Sequence, residues 1–296
     1  MRGWRMCAGV AWMGLAAAMM AQEGPAKDGK TKLQLCSGLP CVEVMVDKTK
    51  LMMAINMGNP SSMVNVDLPR NEGLDLEPYV GRDGQPRSNF KRTEVPSVKT
   101  GTIALTNLPV VVADLFTSRS ANQMPDVDGI LGYDAFKGKL LRLDFKKMTM
   151  EVSSAAGPCD GTEKLITFGK GGPLVVTTTG FSVNGKPVVA QVDTLFAGTM
   201  VVYRESVEKL GLTTEAVNTK GKPQEHFPFT DGGVEMLKAS AKEEFGGKPI
   251  SGDQPVYFGL PGAHTPEGLF DATVGMGLFS GRVVSFDFAH SCFGMM

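Results

Sequence analysis

Two short segments of this chain place a polar group at the end of an apolar strand, and both are built the same way. Residues 53–64 read Met-Ala-Ile-Asn-Met-Gly-Asn-Pro-Ser-Ser-Met-Val, and residues 190–201 read Ala-Gln-Val-Asp-Thr-Leu-Phe-Ala-Gly-Thr-Met-Val. Asn56 and Asp193 take the same place in each, 137 residues apart (193 − 56). Each is followed by a tight loop, a hydroxyl residue (Ser62, Thr199) and another apolar strand. Two carboxylates held about 3 Å apart share one proton, so one serves as general base toward water and the other as general acid toward a carbonyl. Such a pair titrates as a unit. In the first segment the matching place is held by an amide. Asn56 has no useful basicity and cannot shuttle a proton, although its amide nitrogen can donate a hydrogen bond to a carboxylate.

Loops that occur twice call for a scaffold that occurs twice. Residues 127–145 read Val-Asp-Gly-Ile-Leu-Gly-Tyr-Asp-Ala-Phe-Lys-Gly-Lys-Leu-Leu-Arg-Leu-Asp-Phe. Residues 270–288 read Phe-Asp-Ala-Thr-Val-Gly-Met-Gly-Leu-Phe-Ser-Gly-Arg-Val-Val-Ser-Phe-Asp-Phe. Asp128, Gly132, Phe136, Gly138, Asp144 and Phe145 recur as Asp271, Gly275, Phe279, Gly281, Asp287 and Phe288, at a constant spacing of 143 (271 − 128). A long repeat placed once per half predicts two copies of one structural unit. Between loop and block the spacing grows by six (143 − 137), so the second half carries a net six-residue insertion.

Strand signals dominate both copies. Runs rich in Val, Ile, Leu and Met at 42–46, 51–55, 63–66, 103–105, 110–113 and 140–145 are separated by Gly, Pro and Asn. The second half answers with 173–177, 188–192, 200–202, 256–258 and 283–288. Helical patterning is confined to 205–210 and a single turn at 134–136. The pattern predicts an all-β protein of barrels or sandwiches. The boundary falls in the small-residue stretch 153–161, giving lobes at 31–155 and 160–296. The variable middles 77–98 and 218–233 are each a mobile hairpin or a surface loop, and we favour the loop.

Bulk properties narrow the classes. With 42% hydrophobic residues the chain can build a sizeable core, and a formal charge of −1 with scattered charges gives no reason to expect nucleic acid or an anionic membrane. Arg2 and Arg5 precede an apolar run, 6–20, which then turns polar. That order predicts a secretory signal over 1–21 with cleavage near 18–21, and the run is short of the ~20 residues a membrane span needs. An exported protein, periplasmic or extracellular, with no membrane association after signal removal is expected. Of the cysteines Cys36, Cys41, Cys159 and Cys292, we favour the pairing Cys36–Cys41 with Cys159–Cys292; the other connectivities and four reduced thiols stay open. His226, His264 and His290 share no ligand spacing, so no metal site is expected. The methionines fall mostly on apolar runs, where they fill core gaps. Gly169-Lys170-Gly171-Gly172 lacks the ending of a phosphate loop, and no cofactor is implied.

With both loops and both blocks in view, the chain resembles the pepsin-like and retropepsin-like aspartic peptidases, particularly exported bacterial members with two fused lobes. In that family each lobe offers apolar-apolar-Asp-Thr/Ser-Gly, then an apolar-apolar-Gly block that packs on the active loop. Asp193-Thr194 matches the first motif; Ile130-Leu131-Gly132 and Thr273-Val274-Gly275 match the second. The resemblance implies two homologous β-barrel lobes around a cleft, and a monomer, since both lobes sit in one chain. It implies catalytic roles at Asp193, Asn56 and Thr194, and substrate contacts at Gly58, Tyr79 and Gly81, the last two on a covering hairpin with Gly84. An ordinary Gly-containing turn is the other reading of that hairpin.

Three positions depart from the pattern. Asn56 stands where the first lobe should supply Asp, Met57 replaces the hydroxyl that locks the loops together, and Leu195 replaces the second lobe's Gly. Asp47 and Asp67 lie nine and eleven residues from Asn56 (56 − 47; 67 − 56), too far to substitute, and Asp128 and Asp271 are read as structural. Three functions follow. One is a peptide- or extended-ligand-binding protein with a degenerate Asn56/Asp193 dyad and little or no hydrolysis. The others are an active aspartic endopeptidase working through Asp193, and an interaction protein with a vestigial cleft.

Overall fold

The computed structural model describes residues 26–81, 84–115, 127–154, 163–168, 175–212, 234–237, 242–250, 256–259 and 270–296. The predicted signal, Cys159, His226, His264, the 169–172 stretch and the loop at 218–233 lie outside the described residues. The first half contributes β1 (Gly29–Lys32), β2 (Gln34–Cys36), β3 (Leu39–Val46), β4 (Thr49–Ile55), β5 (Met63–Asn65) and β6 (Glu77–Val80). It continues with β7 (Pro86–Thr100), β8 (Ile103–Ala113), β9 (Gly129–Leu131), β10 (Leu140–Asp144) and β11 (Thr149–Ser153). The second half contributes β12 (Glu163–Phe168), β13 (Val175–Val183), β14 (Lys186–Val192), β15 (Met200–Tyr203), β16 (Val234–Leu237) and β17 (Glu243–Phe245). It ends with β18 (Lys248–Pro249), β19 (Val256–Gly259), β20 (Ala272–Val274), β21 (Val283–Asp287) and β22 (Cys292–Met295).

Both halves assemble these strands in one order. In the first, β3-β4-β9-β5-β8-β7 run side by side, and β3 also pairs with β7, closing a barrel. In the second, β13-β14-β20-β15-β19-β16 run in the matching order. The strand senses agree too. β4 pairs β9 in parallel as β14 pairs β20, and β5 pairs β8 in parallel as β15 pairs β19. β5 opposes β9 as β15 opposes β20. The molecule is all-β, with two homologous lobes, as the duplication predicts.

The repeated block joins the lobes. β10 pairs with β21, its own second copy, in the register Leu140↔Asp287, Arg142↔Ser285 and Asp144↔Val283. Exchanging each residue for its repeat leaves this register unchanged, so a pseudo-two-fold axis passes between Arg142 and Ser285. Flanking strands extend the arrangement to β1-β11-β10-β21-β22-β12. The symmetric bonds Phe145 N–H to Arg282 O (2.8 Å) and Phe288 N–H to Lys139 O (2.9 Å) finish each end. Phe136 and Phe279, equivalent across the axis, are fully buried in a core that spans both halves.

Several local readings need revision. The stretch 77–98 takes the alternative to the favoured surface loop: it is a hairpin of β6 and the fifteen-residue β7. Its side chains are mostly exposed and polar or charged, with Val95 and Val98 turned inward, so hydrophobic alternation is faint. Backbone pairing with β8 from Lys91 to Thr100 holds it, and the ladder skips Pro96 opposite Asn107, which takes a left-handed φ of 54°. The two runs 103–105 and 110–113 are one strand, β8. A helix at Asp67–Glu72 was not expected; the turn predicted at 134–136 is a helix over Tyr133–Phe136, and that at 205–210 one over Arg204–Leu210. Cys36 and Cys41 form the favoured disulfide. Cys292 is also disulfide-bonded.

Candidate functional site

Asn56 and Asp193 follow directly on β4 and β14, the strands whose parallel partners β9 and β20 carry the repeated block. The backbone treats them identically. Asn56 N–H donates to Leu131 O (2.9 Å), and Asp193 N–H donates to Val274 O (3.0 Å). In each loop the amide two residues on turns back to the side chain. Gly58 N–H donates to Asn56 Oδ1 (2.7 Å), and Leu195 N–H donates to Asp193 Oδ1 (2.9 Å). Both side chains are half-buried.

The loops meet at Gly58. A Cβ on this residue would fall 2.6 Å from Asp193 Cγ and 2.9 Å from both its oxygens, so only glycine lets the first loop pass this close to the carboxylate. The packing block uses glycine likewise. A Cβ on Gly132 would meet Ser61 at 2.7 Å, and one on Gly275 would meet Phe196 O at 2.1 Å. Both copies of the apolar-apolar-Gly block thus press against the loops they follow.

Thr194 ties the lobes. Its buried hydroxyl donates to Ile55 O and accepts from Met57 N–H at 3.1 Å, gripping the first loop on both sides of Asn56. Met57, the equivalent residue, has no hydroxyl to return the grip and lies fully buried in the core. The lock is single, as the sequence implied. Leu195 fills the place of the glycine differently. Its amide still holds Asp193, while its side chain packs toward Cys41, Ala54, Val127 and Ile130 of the first half. The Asn56 carboxamide oxygen is taken by Gly58 N–H, and among the described residues its nitrogen makes no hydrogen bond to Asp193.

Tyr79 and Gly81 belong to the β6–β7 hairpin. The Tyr79 ring stands edge-on to Phe90 with centroids 6.1 Å apart, and Gly81 N–H donates to Gln85 O at 2.8 Å. Those contacts run within the hairpin. Four other acids, Asp128, Asp271, Asp134 and Asp287, have structural partners. Asp128 Oδ2 accepts Met52 N–H (2.8 Å) and Asp271 Oδ2 accepts Val189 N–H (3.0 Å), one clamp per copy. Burial works against ionisation of Asp271, but Lys209, Val189 N–H and Ser206 outweigh it and hold the carboxyl below its usual range. Asp134 takes the Ser62 N–H and hydroxyl, and burial pushes it upward in spite of them. His290 Nδ1 lies 2.9 Å from Asp287.

One feature escaped the sequence reading. Behind Asp193, Thr177, Gln191 and Thr273 lie on adjacent strands where the first half has Cys41, Ala54 and Ile130. Thr273 donates to Gln191 Oε1 (3.1 Å), and Tyr203 OH lies 2.7 Å from Thr273 Oγ1. Burial pushes the Tyr203 hydroxyl up, and the charge of Asp193 adds to this. Gln191 inside the apolar run Ala190–Val192 was the available signal.

No family model and no curated protein matches the sequence. Among solved structures, the aspartic proteinase from Irpex lacteus superposes on 91% of this chain and 97% of its own, with a TM-score of 0.50 and 11% sequence identity. At that identity the likeness is one of fold. The chain has the two-lobed, all-β architecture of the acid proteases.

Proposed function

We propose that this chain is an exported, monomeric aspartic-proteinase-like protein that holds a peptide or other extended polypeptide between its lobes with little or no hydrolysis. The carrying observation is the floor of the site. The first loop supplies an amide whose oxygen is already engaged by Gly58, and Gly58 lies against the carboxylate of Asp193. An amide cannot take or give the proton that the two-carboxylate mechanism exchanges. The single Thr194 grip points the same way, since a working dyad relies on tight registration of both loops.

Preservation of the Asp193 loop favours a second reading, weak peptidase activity through Asp193, and one experiment separates them. Purified mature protein is incubated with unfolded casein at pH 3–6. No cleavage sensitive to pepstatin or to Asp193→Ala is expected; such cleavage would establish the peptidase reading instead. The combined variant Asn56→Asp, Met57→Thr, Leu195→Gly, checked for folding by thermal melting, is expected to gain cleavage that the parent lacks.

A further inference from the structure

We infer that Asn56 gives this site a permanent hydrogen-bond donor, so that it takes a peptide carbonyl at neutral pH, where a two-carboxylate floor would have lost its shared proton. The inference rests on the peptide-binding reading and says which peptide atom meets which side chain.

The orientation of the carboxamide decides it. Gly58 N–H is a donor, so the atom it meets at 2.7 Å is the oxygen, and the amide nitrogen is turned to the other side of the group. That nitrogen has no hydrogen-bond partner among the described residues, and the side chain is half-exposed between the loops. Asp193 is fixed in the same way by Leu195 N–H and crosses the same glycine. The floor therefore combines an N–H donor from one lobe with a carboxylate acceptor from the other. A peptide group carries the complementary carbonyl and N–H. A guanidinium or ammonium would match the carboxylate and meet the amide donor unfavourably, so cationic side chains are the poorer occupants.

A paired-carboxylate floor offers this donor–acceptor combination only while it holds its shared proton. An amide proton does not leave in the physiological range, so the donor persists. The titratable groups around it do not alter that. Among the described residues, Asp193 lies against Gly58, two residues on from Asn56, and Asp134, on the helix packed beneath the loop, is engaged by Ser62. Tyr133 stacks edge-on to Phe288, and Tyr203 faces Thr273 behind Asp193.

The test measures binding of fluorescein-labelled, unfolded casein by polarisation, from pH 5 to pH 8, with gels confirming that the probe stays intact. Wild-type affinity is expected to change by less than about threefold, because the donor does not titrate. Asn56→Asp is expected to bind comparably at pH 5 and to weaken by about tenfold or more by pH 8, as the introduced pair loses its proton. Asn56→Ala is expected to bind more weakly throughout, with a flat profile, and thermal melting of each variant reports folding. An Asn56→Asp profile parallel to wild type, or undiminished binding by Asn56→Ala, would overturn the inference while leaving peptide binding intact. Absence of binding by the wild type at every pH would sink both, and is recognisable because it appears before any variant is compared.

Discussion

Glu243 is a carboxyl that no part of the site needs. It lies buried on β17 opposite Val183, its Oε1 has no hydrogen-bond partner among the described residues, and burial pushes its pKa up to about 7. The unfolded chain releases this proton near pH 4.5, whereas the native protein keeps it until about 7. Between those values the native state binds more protons, so stability falls as pH rises, by about 3 kcal/mol in all at 1.36 kcal/mol per unit. Denaturant unfolding at pH 5 and pH 8 checks this. Glu243→Gln is expected to lose that part of the pH dependence; an unchanged slope would show that Glu243 does not ionise on this path. The slope is the readout, because a buried glutamine amide brings its own unsatisfied donors.

At the scale of elements, the site is two strand–loop units held by one hydroxyl. Thr194→Val keeps the shape but strands Ile55 O and Met57 N–H in a buried place, which costs about 2–4 kcal/mol for two lost partners. Thermal melting is expected to show that loss, and casein binding is expected to fall with it because the loops lose their registration. A variant as stable as wild type would mean that packing alone holds the loops. Restoring the second hydroxyl is not the mirror of this change. Met57 is fully buried, so Met57→Thr removes core volume while adding a bond, and a net loss is expected.

Which elements were legible follows from the same physics. The strands leading into Asn56 and Asp193 are apolar at their buried positions, Gln191 excepted, and the blocks repeat because both copies must pack against a loop through Gly132 and Gly275. The β6–β7 hairpin was legible only through the resemblance and not from patterning, since an exposed strand held by backbone pairing leaves little hydrophobic pattern. The missing half of the lock could be read from Met57 alone. The turn of the Asn56 carboxamide toward Gly58 could not, because it depends on where one backbone N–H points.

At the scale of the molecule, the pairing of β10 with β21 is the contact two identical chains would make about a two-fold axis, carried here within one. In such a dimer the residue on the axis faces itself. A protein built from two copies of the first half would set Arg142 against a second Arg142, and like charges directly opposite in a sheet repel. Covalent linkage removed that requirement. Ser285, small and buried, now stands opposite Arg142. Ser285→Arg is therefore expected to lower the melting temperature by recreating the self-facing pair in a buried position, while Ser285→Ala is expected to be nearly neutral; equal effects would argue against a role for charge. Fusion thus released every axial position from having to be its own partner. Asn56 and Asp193 hold the same freedom: one chain can carry an amide and an acid where a homodimer would be confined to two amides or two acids.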